Sequence, residues 1–447
     1  MKKWLSISAV LGALLCLSVT AMYAQGTFVK VFPDTSTHWA GGINNTVAVD
    51  GAGNVWLAPY SSGVRDTLVN GTDTTYGFYI NVYNPNGTLN RKVGPVVQYN
   101  GSPDTLFAPG AGYGMCADHS GNIVVVKSSL SLHKFNYQTD VMMATANDPI
   151  PGYASSMTSP MCDDADEVFI TSVVPTSAVG PVALASDFSS VSANVDTSMY
   201  GAFSRNVMVT GDGNDVYIGL IGHGVPHYHS DLGTLGSYTL VDTVFKDLVV
   251  ESAAWQPHTG YLWVSSGNIV SGMPTGNYSG YAWYGFDMTN RSNPVLKDSI
   301  LWNGNTGIPL DSIANDPRPR GIAFSPDGSK AYVCAFGPEN GFCQEFSLTV
   351  GVQRQPDVVA NSYSLSQNYP NPFNPSTQIK FSVAKSGFTT LKVYNILGEE
   401  VATLVSENLT PGSYSATFDA SRLASGTYLY VLASGNQRLT NKMILLK

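Results

Sequence analysis

Charge is scarce in this chain. Only 12% of its 447 residues are Asp, Glu, Lys or Arg, while 43% are apolar. A chain so apolar and so lightly charged is not a disordered polyelectrolyte. The formal net charge is -9, and the acid excess falls in the middle. An acidic middle excludes nucleic acid as an expected partner and argues against an anionic lipid surface. Cysteine is rare too, at five residues, too few for a disulfide-dense scaffold. There is no GxSxG elbow, P-loop, HExxH helix or CxxC pair, so the common signatures of hydrolase, nucleotide, zinc-protease and thiol-redox chemistry are missing. After the first 24 residues no run approaches the roughly 20 apolar residues of a spanning helix, so no transmembrane span is expected in the mature chain.

What is present is turn and strand chemistry. Gly (44), Pro (25) and Tyr (24) are plentiful, which reads as strands joined by tight turns. The length calls for more than one domain. Residues 1–24 open with Lys2 and Lys3, continue through an apolar stretch from about Ile7 to Val19, and end on small residues with cleavage expected after Ala21 or Ala24. That is the pattern of a secretory signal peptide. Cys16 is preceded by Leu14 and Leu15 rather than small residues, which speaks against a lipoprotein.

Four cysteines then remain. Cys334 and Cys343 flank a Gly/Pro-rich turn and suit a cross-strand staple, which an exported compartment permits. Cys116 and Cys162 occupy matching places in two repeats and are expected as separate buried thiols.

One pattern recurs through the middle: an apolar run, a polar turn with Asp or Gly, and an alternating apolar run. It appears as NTVAVDGAGNVWLA from Asn45, YGMCADHSGNIVVV from Tyr113 and, weakened, SPMCDDADEVFITS from Ser159. It returns as RNVMVTGDGNDVYIGL from Arg205, SAAWQPHTGYLWVSS from Ser252 and RGIAFSPDGSKAYVCAF from Arg320. Each copy predicts a β-hairpin, with the Asp accepting turn N–H groups and the Gly taking positive φ. A third strand often follows, as in INVYNPNGTL from Ile80 and HYHSDLGTL from His227. The copies start 68, 46, 46, 47 and 68 residues apart, a period that predicts propeller blades, with insertions in the two longer intervals. TFVKVF from Thr27 is placed to supply the last copy's missing outer strand and close the ring. Six blades are expected, with seven the alternative. Residues 25–350 read as the propeller domain, and about residues 27–350 resemble NHL-, SMP30- and WD40-like β-propellers, a resemblance that implies architecture and leaves function open.

Residues 351–362 read as a linker and 363–447 as a small all-β domain. Ile379, Phe381 and Val383 alternate, as do Tyr414, Ala416 and Phe418, and Tyr428, Tyr430 and Leu432. Short strands at this spacing predict a β-sandwich. The segments NYPNPFNPST, VYNILGEEV, PGSY and SGTYLYVL, and the basic end Lys442 to Lys447, follow in order. On these residues the tail resembles the type A C-terminal sorting domain of the type IX secretion system of Bacteroidetes. The resemblance implies periplasmic transit, recognition by an outer-membrane translocon, processing by a sortase-like protease, and release or attachment at the cell surface. It assigns the sorting signal to Pro370, Asn371, Pro372, Tyr394, Gly398, Gly412, Tyr414, Gly426, Tyr428, Lys442 and Lys447.

Candidate chemistry in the middle is sparse. His223, His227, His229 and Asp231 cluster in IGHGVPHYHSD; His227 and His229 share a strand face and with Asp231 suit a zinc-like metal, although the segment also fits an ordinary third strand. Asp163, Asp164 and Asp166, and Asp212 with Asp215, suit either calcium or turn capping, without the EF-hand spacing. No cofactor is otherwise expected. Trp39, Trp56, Trp255, Trp263 and Trp283 fit core packing or a sugar-binding surface. The reading is a secreted or surface-attached binding or structural protein for a glycan or protein ligand. The alternative is a propeller enzyme (lyase, lactonase or glycoside hydrolase), in which some of Asp118, His119, Arg205, His258 and Arg320 converge on the axis.

Overall fold

A computed structural model describes residues 24–33, 44–59, 66–70, 73–77, 79–94, 96–100, 102–105, 114–128, 131–149, 157–171, 181–192, 195, 204–220, 224–257, 259–266, 278, 280, 282–302, 318–336, 343–348, 353–355, 362–385, 387–409, 411–420 and 423–446. The signal segment before Ala24, and also Trp39, His223, His258 and Lys447, lie outside the described residues. The chain is all-β, a β-propeller followed by a β-sandwich. Among the described residues of the middle, alternating apolar residues and tight turns build six sheets of four antiparallel strands. Their first strands are Asn44–Val49, Met115–Ala117, Met161–Cys162, Ser204–Val209, Ala253–Trp255 and Arg318–Phe324. Consecutive first strands contact one another, and the last contacts the first, so these sheets form a closed ring.

The N-terminal segment Thr27–Phe32 pairs antiparallel with Cys343–Ser347 as the outer strand of the sixth sheet. Phe32 is fully buried there, in a cluster that joins the sixth sheet to the first. Ala24–Gln25 adds a further strand, parallel, to the edge of the fifth sheet. The first long interval holds two extra hairpins, Asp66–Asn70 with Asp73–Gly77 and Val96–Tyr99 with Ser102–Thr105. Alternation gives each sheet two apolar faces, and the core lies between neighbouring sheets. Trp56, Trp263 and Trp283 belong to it and are wholly buried.

Five of the six first hairpins share one turn, the fifth in order being the exception, closed by Gly260 N–H on the Gln256 carbonyl. Gly53, Gly121, Gly213 and Gly328 have positive φ and donate their N–H to the carbonyls of Asp50, Asp118, Thr210 and Ser325. In the weakened third copy Asp166 takes that conformation, at φ 61, and donates to Asp163; Asp is among the few non-glycine residues that tolerate it. A Cβ on Gly121 would stand 2.6 Å from the Cα of Gly51 in the neighbouring turn, so that position has no room for a side chain.

The tail has two sheets, one with strand order Gln353–Gln355, Gly412–Asp419, Ser376–Val383 and Ser364–Leu365. The other runs Glu400–Leu409, Gly387–Tyr394, Gly426–Ser434 and Gln437–Leu445. Ile379, Phe381, Tyr414, Phe418, Tyr430 and Leu432 fill the space between them. Gln353–Gln355 falls inside the stretch read as linker, yet pairs with Gly412–Asp419.

Candidate functional site

The first strands and their turns enclose a cavity of about 430 Å³. Val47, Met115, Met161, Trp255 and Ile322, from five sheets, line it. Trp255 is held by its indole N–H, which donates to the Val209 carbonyl of the fourth sheet at 2.6 Å.

Each first strand ends on a polar side chain that organises its turn: Asp50, Asp118, Asp163, Thr210, Gln256 and Ser325. Asp50 accepts the N–H groups of Ala52 and Asn54, each at 2.9 Å, and the indole N–H of Trp56 at 2.9 Å. Asp118 accepts from Asn122 N–H at 2.7 Å and pairs with Lys134 at 2.8 Å. Asp163 accepts from Ala165 and Glu167 N–H at 3.0 and 2.9 Å. No cation pairs with it among the described residues, and burial pushes its carboxyl up to about 6. Gln256 repeats the Asp50 arrangement without charge, accepting the Trp263 indole N–H at 2.9 Å.

The turns are also stitched to one another. Gly51 N–H donates to the Gly121 carbonyl at 3.2 Å, Asp164 N–H to Gly211 at 2.9 Å, and the Gln256 amide to Gly328 at 2.8 Å. Asp166 accepts from the N–H of His119 at 2.7 Å and from the Ser120 hydroxyl at 2.7 Å.

Of the residues placed near the axis from sequence, Asp118, His119 and Arg320 do line the cavity. Arg205, on the first strand of the fourth sheet, is not in its lining. Asp118 is engaged by Lys134, and Arg320 pairs with the buried Glu251. His119 is mostly exposed, 3.6 Å from Asp164. Asp163, Asp164 and Asp166 therefore serve different partners rather than one centre.

The histidine candidates lie elsewhere, on Val225–His229. His227 and His229 do share a face, and each puts a ring nitrogen on Asp215 Oδ1, at 2.6 and 3.0 Å. Their other nitrogens lie 3.0 Å from Asp242 and 3.2 Å from Asp231. Arg291 adds its guanidinium to both Asp215 and Asp212, and hydrogen bonds from Thr210, Arg291 and Asn214 outweigh burial to hold Asp212 down to about 2. His227 is buried and stacked on Tyr217, with ring centroids 4.5 Å apart, and burial lowers its pKa. A carboxylate thus faces each ring nitrogen of His227 and His229. No group of three His, Cys, Asp or Glu is arranged to hold a metal among the described residues.

The cysteines depart from the sequence reading. Cys334 and Cys343 face one another across paired strands, both buried, as free thiols. Cys116 and Cys162, expected apart, lie 3.5 Å from each other at the cavity wall. Counted from the turn, Cys162 stands one residue before Asp163 but Cys116 two before Asp118. That offset of one puts them on opposite faces of equivalent strands, so they meet in the gap between the second and third sheets.

In the tail, the Pro370 carbonyl accepts from the Asn368 amide at 3.0 Å and the Thr377 hydroxyl at 2.8 Å. Asn371 accepts the Ile444 N–H at 2.9 Å, and Phe373 exchanges backbone bonds with Ile444 and Leu446. The Pro-rich opening is thereby tied to the last strand. Lys442 joins through its carbonyl, which accepts from the Gln367 amide at 2.8 Å. Pro372 is exposed on this segment, while Gly412 and Gly426 begin their strands. Tyr414 stacks on Phe381 at 5.5 Å, and the Tyr428 hydroxyl donates to the Ala424 carbonyl at 2.7 Å. Tyr394 ends the strand before a hairpin tip where Gly398 has φ 81 and Ile396 and Leu397 are 76% and 78% exposed.

No curated protein matches the chain. Among solved structures it is similar to PorZ, an essential bacterial surface component of the type-IX secretion system of Porphyromonas gingivalis. The identity is 12% and the TM-score 0.42, over 90% of this chain and 51% of that one, so the chain spans about half of its length. It is also similar to the Cps50 (Swd1) β-propeller domain of Myceliophteria thermophila, at 8% identity and TM-score 0.41, over 72% of this chain and 99% of that one. No helix among the described residues is long and apolar enough to cross a membrane. Residues 367–446 match the secretion system C-terminal sorting domain family. The tail is therefore a C-terminal sorting domain of the type IX secretion system, and the chain is one exported to the outer surface or beyond.

Proposed function

We propose that the propeller is an exported binding module whose axial cavity receives a glycan unit or a side chain of a partner protein. The tail delivers it through the outer-membrane translocon and is then removed by a sortase-like protease. The observation that carries this reading is the state of the cavity's charged groups. Asp50 and Asp118 serve their own turns, Trp56 and Lys134, and Arg320 serves Glu251. What remains toward the space, among the described residues, is a largely apolar wall with one indole, Trp255, and one exposed imidazole, His119. Apolar walls with a few fixed polar groups favour binding of a small group, and an indole face stacks well on a sugar ring. A lyase, lactonase or glycoside hydrolase asks instead for a convergent set of free carboxylates and imidazoles, which His119 alone does not make.

The test is a thermal-shift and tryptophan-fluorescence titration of the full mature chain against glycan panels and candidate surface proteins. A ligand that changes Trp255 emission and loses affinity about tenfold or more in Trp255→Ala supports the cavity as its site. Turnover of a polysaccharide with rates unchanged in Trp255→Ala refutes it. Delivery has its own test: a chain lacking residues 363–447 should remain in the periplasm.

A further inference from the structure

We propose that Cys116 and Cys162 are a modification site: a dithiol that closes into a disulfide between two neighbouring blades once the chain meets an oxidising compartment. The two sulfurs are 3.5 Å apart on the first strands of the second and third sheets. The one-residue offset aims them at each other across the gap, and their separation exceeds a bonded S–S length by only about 1.5 Å. Both line the axial cavity and are partly exposed, so an oxidant entering along the axis reaches them. Cys334 and Cys343 differ on this point: they oppose each other in paired strands but are wholly buried, and protein atoms shield them from an oxidant.

The chemistry is thiol–disulfide exchange with a disulfide-bearing oxidant, a small-molecule disulfide or an oxidoreductase. The hydrogen bond with Cys116 and burial push the Cys162 thiol well up, so the Cys116 sulfur, as thiolate, attacks a sulfur of the oxidant, breaks its S–S bond and forms a mixed disulfide, releasing one thiol. The second sulfur then attacks the mixed disulfide, forms the Cys116–Cys162 bond and releases the second thiol. Two S–H bonds and one S–S bond break; one S–S and two S–H bonds form. The protein gives up two electrons and two protons, and the oxidant is reduced by the same amount. The product adds a covalent tie between two sheets that side-chain packing, the Asp166 bonds to His119 and Ser120, and the Lys134 bond to the Ser186 carbonyl already join. It closes a loop with 46 residues of sequence separation.

The full mature chain, purified reduced, is incubated with oxidised glutathione, quenched with an alkylating reagent and mapped by peptide mass spectrometry. The expected product is a peptide containing Cys116 joined to one containing Cys162, lighter than their sum by two hydrogens. Its formation should raise the melting temperature by roughly 5 °C. Cys334→Ala with Cys343→Ala should keep that rise, and Cys116→Ala with Cys162→Ala should abolish it. Recovery of Cys116 and Cys162 as alkylated thiols, or each only as a glutathione adduct, overturns the proposal. So does a rise in melting temperature that persists without the two cysteines.

Discussion

Lys134 Nζ lies 2.8 Å from Asp118 Oδ2, with side-chain exposures of only 4% and 0%. Lys134 also donates to the Ser186 carbonyl in the third sheet at 2.9 Å. One ammonium thus neutralises a turn carboxylate in its own sheet and fastens the neighbouring one. Removing one member of a buried pair leaves the other charge without compensation, which costs about 3–5 kcal/mol. Lys134→Met should therefore lower the urea unfolding midpoint sharply. Adding Asp118→Asn to that variant should recover part of the loss, because the orphaned charge is then gone. Equal destabilisation of the single and double variants would show that packing of the lysine stem, not charge, dominates.

Asp163 stands where Asp118 does but has no such lysine among the described residues, and it supplies a pH dependence together with Asp298. Burial lifts Asp163 up to about 6 and Asp298 up to about 7. Both carboxyls titrate near 4 in the unfolded chain, so between about 4 and 7 the folded protein holds more protons. Stability should fall as pH rises through that window, and the loss should be complete above it. Asp212, held down to about 2, acts the other way and only in stronger acid. Asp163→Asn with Asp298→Asn should raise stability at about pH 8 by on the order of 2 kcal/mol after solvent screening, and should flatten the slope from about pH 5. Urea midpoints at the two pH values check this.

These carboxylates also mark what the sequence can carry. The hairpins, the turn residues Asp50, Gly53, Asp118 and Gly121, the alternating faces of the tail and the closing strand at Thr27–Phe32 were all legible, because local alternation and turn chemistry fix them. The parallel Ala24–Gln25 pairing was not legible, since two residues carry no periodicity. That some of Asp118, His119, Arg205, His258 and Arg320 could converge was legible from their repeat positions, but which of them line the cavity was not, nor were their partners: Lys134 and Glu251 come from other strands and loops. The meeting of Cys116 with Cys162 depends on a one-residue offset of each from its turn. Aligning the repeats on their cysteines hides that offset, and aligning them on the turn aspartate reveals it.

The closing strand makes the ring depend on the chain's first described residues. Phe32 is fully buried, with its ring centroid 5.0 Å from that of Tyr332 and 6.0 Å from that of Tyr83. It therefore packs against the sixth and first sheets together. Truncation of a buried phenylalanine to alanine costs about 3–5 kcal/mol. Phe32→Ala should reach that range, whereas Val29→Ala, on a half-buried side chain in the same strand, should cost clearly less. Removing residues 27–32 altogether should expose the edge of Cys343–Ser347 and promote aggregation, measured by light scattering during refolding. A soluble chain of unchanged stability after that deletion would mean that the ring closes without the strand.

The hairpin tip of the tail separates folding from delivery. Ile396 and Leu397 are largely exposed, while Asn395 secures the turn by accepting from Leu397 and Glu399 N–H at 2.9 and 3.0 Å. Two large apolar side chains displayed on a rigid turn contribute little to the sandwich core and suit contact with a partner surface. Ile396→Ser with Leu397→Ser should change the unfolding midpoint by no more than about 0.5 kcal/mol. The same pair should reduce the fraction of protein reaching the cell surface, read by protease accessibility on intact cells. Tyr430→Phe provides the opposite control. It removes the hydroxyl that donates to Ser366 and accepts from Asn368, so it should lower stability by about 1–2 kcal/mol while leaving the tip unchanged. Full surface delivery of the serine pair would assign recognition to another face of the sandwich, with the Pro-rich segment tied to the last strand as the next surface to alter.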